Sequence, residues 1–123
     1  MQTKYLWIGK NKSAILITSI IILSFLSILG MSLIASLRSR AVYSQLQLDR
    51  LQALYLAEAG IFKSIWELKT DTDSDGNGTG NISPTKLGRG SFWAKHNFQT
   101  STITAIGEVN KVRRGIQIKY SPL

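Results

Sequence analysis

The 123-residue chain has no cysteine, which excludes a disulfide framework, a thiolate zinc site, an iron–sulfur cluster and a cysteine nucleophile together. Any part of it outside the cytoplasm must be held by packing alone. It has one histidine, His96. No carboxylate lies in the same predicted strand and nothing else supplies a nucleophile–base pair, so no enzymatic activity is expected. Acidic residues are scarce as well: seven against fifteen lysines and arginines give a net charge of +8. That balance favours anionic partners, lipid head groups or nucleic acid, without choosing between them. The length allows one small domain and no more.

Charge is absent altogether from one stretch. Ser13 to Leu37 is a run of 25 residues with no charge, mostly Ile, Leu, Ala and Ser. As a helix it rises about 37 Å, enough to cross a bilayer core with some tilt. It is too long for the apolar core of a cleaved secretory signal, and Arg38 and Arg40 follow it directly. A retained transmembrane helix is therefore expected, in the cytoplasmic membrane. Lys4, Lys10 and Lys12 before it stand against Arg38, Arg40 and Arg50 after it, so the positive-inside rule puts the N-terminus in the cytoplasm by a small margin.

The helical pattern continues past the membrane. Between Arg38 and Lys69 there is no proline and one glycine, Gly60. Leu48, Leu51, Leu54, Tyr55, Ile61, Phe62, Ile65 and Leu68 recur at spacings of three and four, which predicts one apolar face. Arg38, Arg40, Gln45, Gln47, Asp49, Arg50 and Gln52 form its polar counterpart. The expectation is one uninterrupted helix from about Ser13 to Lys69. Asp71 to Pro84 then brings three Asp, three Gly, two Asn and a Pro together, which is loop chemistry.

Beyond the loop the period changes to two, in three runs around Phe92–Phe98, Thr102–Ala105 and Ile116–Tyr120. A hairpin turning at Asn110 and Lys111 is the simplest way to pair the last two. The expected fold is α+β: a long N-terminal helix, transmembrane in its first half and amphipathic in its second, packed on a small three-stranded antiparallel sheet. Ile61, Phe62, Ile65 and Trp66 form the expected ridge against that sheet. The organisation is a basic cytoplasmic leader over 1–12, the span over 13–37, the amphipathic continuation over 38–69, an Asp/Gly loop over 70–90 and the sheet over 91–123.

Three constellations carry chemistry. Asp71, Asp73, Asp75 and Gly76 spell D-x-D-x-D-G, the front half of a calcium loop. The twelfth position is Ile82 in place of the bidentate glutamate, so calcium on Asp71, Asp73, Asp75 and Asn77 would complete its shell with carbonyls, Asn81 or water. The alternative is a solvated acidic turn. Glu58 stands either in an ion pair, with another subunit or within its own helix beside Arg50 or Lys63, or free in solvent. From Lys86 onward there are seven cations and one acid, Glu108, interleaved with Phe92, Trp93, Phe98 and Tyr120. Such a mixture suits single-stranded nucleic acid, but in a strand pattern aromatics take the core side and lysines the wet side. Nucleic acid is accordingly not the expected partner.

Two quoted stretches and a hairpin then resemble a known family. Asn11 to Ile34 (NKSAILITSIIILSFLSILGMSLI), Leu51 to Leu68 with its Ala57-Glu58-Ala59-Gly60 run, and the glycine-led strands from Gly88 to Tyr120 together resemble the type IV pilin superfamily, in its minor-pilin group with a PilX N-terminal domain. The resemblance implies a minor pilin or pseudopilin, a structural or initiating subunit of a type IV pilus, type II secretion or competence filament. It implies as partners other pilins through the N-terminal helix, an assembly platform protein and a prepilin peptidase. Lys12 stands where the family has its cleavage glycine and Ile17 where it has glutamate, so the expectation is either no cleavage or an unusual one at Gly9. Missing the glutamate is a feature of tip-type members. The small residues of the span, with Gly30 as a point of loosening, suit close helix approach. The alternative function is a single-pass membrane adaptor or regulatory subunit with a small extracytoplasmic binding domain.

Overall fold

A computed structural model describes residues 11–121. Gly9, the candidate peptidase site, lies outside the described residues, as do Lys4 and Lys10. The element order is α1 (Gln2–Thr70), β1 (Ile82–Leu87), β2 (Gly90–Asn97), β3 (Thr102–Val109) and β4 (Val112–Lys119). The chain divides into two compact units, Met1–Tyr43 and Ser44–Leu123.

In the first unit the helix is long and apolar enough to cross a membrane, and its apolar window is wholly exposed. Ile, Leu and Phe face outward all round, as they must where the surroundings are lipid. Four hydroxyls of the span are absorbed internally. Thr18, Ser19, Ser24 and Ser27 each donate their hydroxyl to the carbonyl four residues back, at 2.7–2.9 Å. In hydrocarbon a free hydroxyl is costly, and this local bond removes the cost without a partner helix.

In the second unit, α1 from Ser44 to Thr70 packs on an antiparallel meander in the order β1-β2-β3-β4. The sheet has four strands, one more than expected. The extra one, β1, falls within 70–90, where a loop was predicted. Its pattern is hidden because Pro84 breaks it and the register shifts between Ile82 and Thr85. An edge strand tolerates both, since a proline there removes no ladder bond.

The turns follow their residues. Asn110 and Lys111 link β3 and β4, with Val109 paired to Val112 and φ of 48° and 67°. Two positive φ values define a type I′ turn, whose twist matches that of the strands. The expected hairpin is therefore present. Gly88, at φ 60°, opens the two-residue β1–β2 turn.

The core is built from Ala53, Leu56, Ile61, Ile82, Phe92, Ala94, Ile103, Ala105 and Val109. The helix side of it differs from the expected ridge. Ile61 is buried and Ile65 packs at its margin, but Phe62 is 70% exposed and Trp66 53%. The buried face runs through Asp49, Ala53, Leu56, Ala57, Gly60, Ile61, Ser64 and Glu67 instead. Its small residues let backbone meet backbone. A Cβ on Gly107 of β3 would lie 2.1 Å from the Ala53 carbonyl oxygen and 2.7 Å from the Ala57 nitrogen. Bulky side chains at the seam would hold the sheet away, so they are turned to the other side.

Candidate functional site

The Ala57-Glu58-Ala59-Gly60 run is divided between two surfaces. Ala57 is fully buried and Gly60 buried, both toward the sheet. A Cβ on Gly60 would come within 3.1 Å of the Ala105 Cβ and 3.4 Å of the Phe92 ring. Ala59 is half-buried and Glu58 exposed. The motif thus works first as a close-packing element.

Glu58 belongs to the opposite side of the helix. At about 100° per residue it falls between Tyr55 and Phe62 on one line with Leu51 and Trp66. Leu48, Leu51, Tyr55, Phe62 and Trp66 are 48–70% exposed. Within the second unit this is an apolar stripe with one carboxylate in its middle. The single apolar face expected from spacing is therefore two faces, one sealed by the sheet and one open.

At the open end of the sheet the helix is fastened by a polar contact. Asp49 stands among the residues of the expected polar face, yet it is 6% exposed. Its carboxylate accepts from the Asn110 amide at 3.3 and 3.4 Å and from the Gln45 amide at 3.3 Å. A one-turn spacing from Ala53 could have shown that Asp49 shares the sheet-facing side.

Past the helix, the acidic loop folds around its own carboxylates. Asp73 accepts from the backbone N–H groups of Gly76 (2.8 Å), Asn77 (3.1 Å) and Gly78 (2.8 Å). Asp75 accepts from the N–H and the hydroxyl of Ser83 at 2.8 and 2.9 Å. The Ser83 N–H, foremost among these donors, lowers the Asp75 pKa from 3.8 to about 2 by favouring the charged form.

Of the four residues expected to hold calcium, Asp73 and Asp75 come together and Asp71 does not join them. Asp71 sits just past the helix with φ 48°. The Asn77 amide donates to the Ser83 hydroxyl. The third carboxylate is Glu67, which lies upstream of the loop motif and so escaped it. Oxygens of Glu67, Asp73 and Asp75 lie within 4.8 Å of one another, the arrangement that a hard cation would use. Glu67 is fully buried and accepts from the Ser74 hydroxyl (2.6 Å) and the Gly80 N–H (3.3 Å).

His96 is a core residue with polar contacts. Its Nε2 bonds the Tyr120 hydroxyl, and its ring stands edge-on to Phe98 at 4.1 Å. Gly30 has open space around it in the first unit. No family model, no curated protein and no solved structure matches the chain.

Proposed function

We propose that the chain is a minor pilin or pseudopilin, a structural subunit whose helix is its assembly element. The observation that carries this is the open stripe Leu48, Leu51, Tyr55, Phe62 and Trp66 on the helical face away from the sheet. A helix that already buries one face needs no second apolar face for folding. Large exposed apolar strips mark interaction surfaces, and here the strip follows an apolar span in the same helix.

Lateral exchange of lipid contacts for helix contacts is nearly even in apolar area, so packing and polar contacts decide assembly. Glu58 is the polar element of the stripe. Buried between Tyr55 and Phe62 by a neighbouring helix, its charge demands a cation from that neighbour. Prepilin peptidase, an assembly platform protein and other pilins are the partners in this proposal, with the N-terminus cytoplasmic and the sheet outside.

The test is to shear cells, separate surface filaments from membranes, and probe each fraction in strains with and without the assembly ATPase. A filament subunit enters the sheared fraction only with the ATPase. Retention in the membrane in both strains, with filaments forming normally, would assign the chain to a single-pass adaptor instead.

A further inference from the structure

The outer face of the sheet, turned away from the helix, carries aromatic and cationic side chains together. The register sets Trp93, Ile106 and Gly115 in one row, and Lys95, Thr104 and Gln117 in the next. Asn97, Thr102 and Lys119 form a third row, and Ser91, Glu108 and Arg113 a fourth, with Lys86 beside Ser91. Phe92, Ala94 and His96 point the other way, into the core. The sorting of aromatics inward holds for Phe92 and for Tyr120, which packs at the core margin against His96, but not for Trp93 and Phe98. Trp93 shares its face with Lys95, and Phe98 at the end of β2 is 67% exposed.

From this arrangement we infer that the outer face binds single-stranded nucleic acid. Lys86, Lys95, Arg113 and Lys119 are exposed there, against one acid, Glu108, whose carboxylate is paired with Arg113 at 2.5 Å. The Arg113 guanidinium lies 5.7 Å from the centre of the Trp93 ring. A concavity of about 1090 Å³ opens beside the indole, lined by Trp93, Lys95, Phe98, Thr104, Ile106 and Gln117. Rings stack unpaired bases while flanking cations take the phosphates. A duplex, with its bases stacked inside, offers no free ring face to Trp93. A neutral sugar polymer makes no use of the four cations.

Gly115 provides a clean test. A Cβ there would meet only Ala105 O at 3.7 Å and Ile106 Cγ1 at 3.8 Å, ordinary contacts, so a longer side chain is sterically admitted. Gly115→Glu puts a carboxylate beside the indole without disturbing the core.

The experiment measures fluorescence anisotropy of a labelled thymine oligonucleotide, about 15 nucleotides long to exceed one small-domain footprint, with the full chain in lipid nanodiscs of neutral lipid. Binding is expected to weaken with salt. Trp93→Ala should reduce affinity by about 5- to 160-fold, the range for losing one stacked base. Lys95→Gln with Lys119→Gln should flatten the logarithmic salt slope by about 1.4, two phosphate contacts on a single strand. Gly115→Glu should abolish binding, with circular dichroism and melting unchanged. No binding by the unmodified chain at low salt would overturn the inference. Equal competition by a duplex or a polyuronate, or binding indifferent to both Trp93→Ala and Gly115→Glu, would overturn it too by revealing charge attraction alone. None of these outcomes depends on whether the chain enters a filament.

Discussion

Asn110, held at φ 48° in the β3–β4 turn, donates its side-chain amide to both oxygens of Asp49, sixty-one residues earlier on the helix. One residue thus serves the turn and the helix at once. Its backbone takes the left-handed conformation that a type I′ turn requires, and its side chain satisfies a buried carboxylate.

The two roles can be separated by substitution. Asn110→Gly keeps the turn and loses the bond to Asp49, so the loss is set by that bond, about 1–3 kcal/mol for a charged acceptor. Asn110→Ala adds the strain of a left-handed backbone, roughly 1 kcal/mol more. Chemical denaturation of both variants, combined with Asp49→Ala in a double-mutant cycle, measures the bond itself. Equal stability of the Gly and Ala variants would remove the turn from the account.

The helix–sheet seam predicts an unusual order of sensitivity. Gly107→Ala drives a methyl into the Ala53 carbonyl oxygen and should destabilise by about 3 kcal/mol or more. Leu56→Ala, a large truncation at the same seam, should destabilise by about 2–5 kcal/mol. Adding one carbon at the glycine is thus as damaging as removing three at the leucine. Gly30→Ala meets nothing and replaces the poorest non-proline helix former by the best, so it should leave stability unchanged or raise it by up to about 1 kcal/mol.

Phe62→Ser and Trp66→Ser test the open stripe. Both side chains are more than half exposed, so each change should alter stability by no more than about 0.5 kcal/mol. Incorporation into sheared filaments should fall sharply in the double variant, by immunoblot of that fraction. Glu58→Lys should do the same through charge reversal, and a compensating acid on the neighbouring subunit should restore it. A normal filament signal from all three variants would take the stripe out of assembly.

The acidic loop predicts a pH dependence. Asp75 has its pKa lowered from 3.8 to about 2 by the Ser83 N–H before all else. A lowered folded-state pKa stabilises the fold fully above the unfolded value and loses that contribution as pH falls through the folded one. Melting temperature should therefore drop between about pH 4 and pH 2, and Asp75→Asn should flatten that segment of the profile. A profile that is identical in the variant would exclude the Asp75–Ser83 contact as its source.

Much of this architecture is written in local pattern. The uncharged run from Ser13 to Leu37, the lack of proline from Arg38 to Lys69, and the Asn110–Lys111 pair each prescribe their structure by short-range chemistry. What escaped depends on partners distant in sequence. Strand β1 is invisible because Pro84 and a register shift erase its alternation, and only pairing with β2 reveals it. Phe62 and Trp66 were placed inward because large apolar residues usually are. The sheet instead selects Ala53, Ala57 and Gly60, since Gly107 has no side chain to keep the backbones apart. Trp93 takes the side that strand alternation gives it, with Lys95 and opposite Phe92, and there the general rule that aromatics turn inward fails. Glu67 lies four residues upstream of the linear motif, and only the turn at Asp71 brings it to Asp73 and Asp75.

The internally bonded hydroxyls of the first unit have a mechanical consequence. Thr18, Ser19, Ser24 and Ser27 spend their protons on their own backbone. At these four positions the helix offers its surroundings no hydroxyl proton, so contacts made there rest on shape and apolar packing. Those turns are insulated like a sheathed wire, and polar recognition has to come from other residues of the chain.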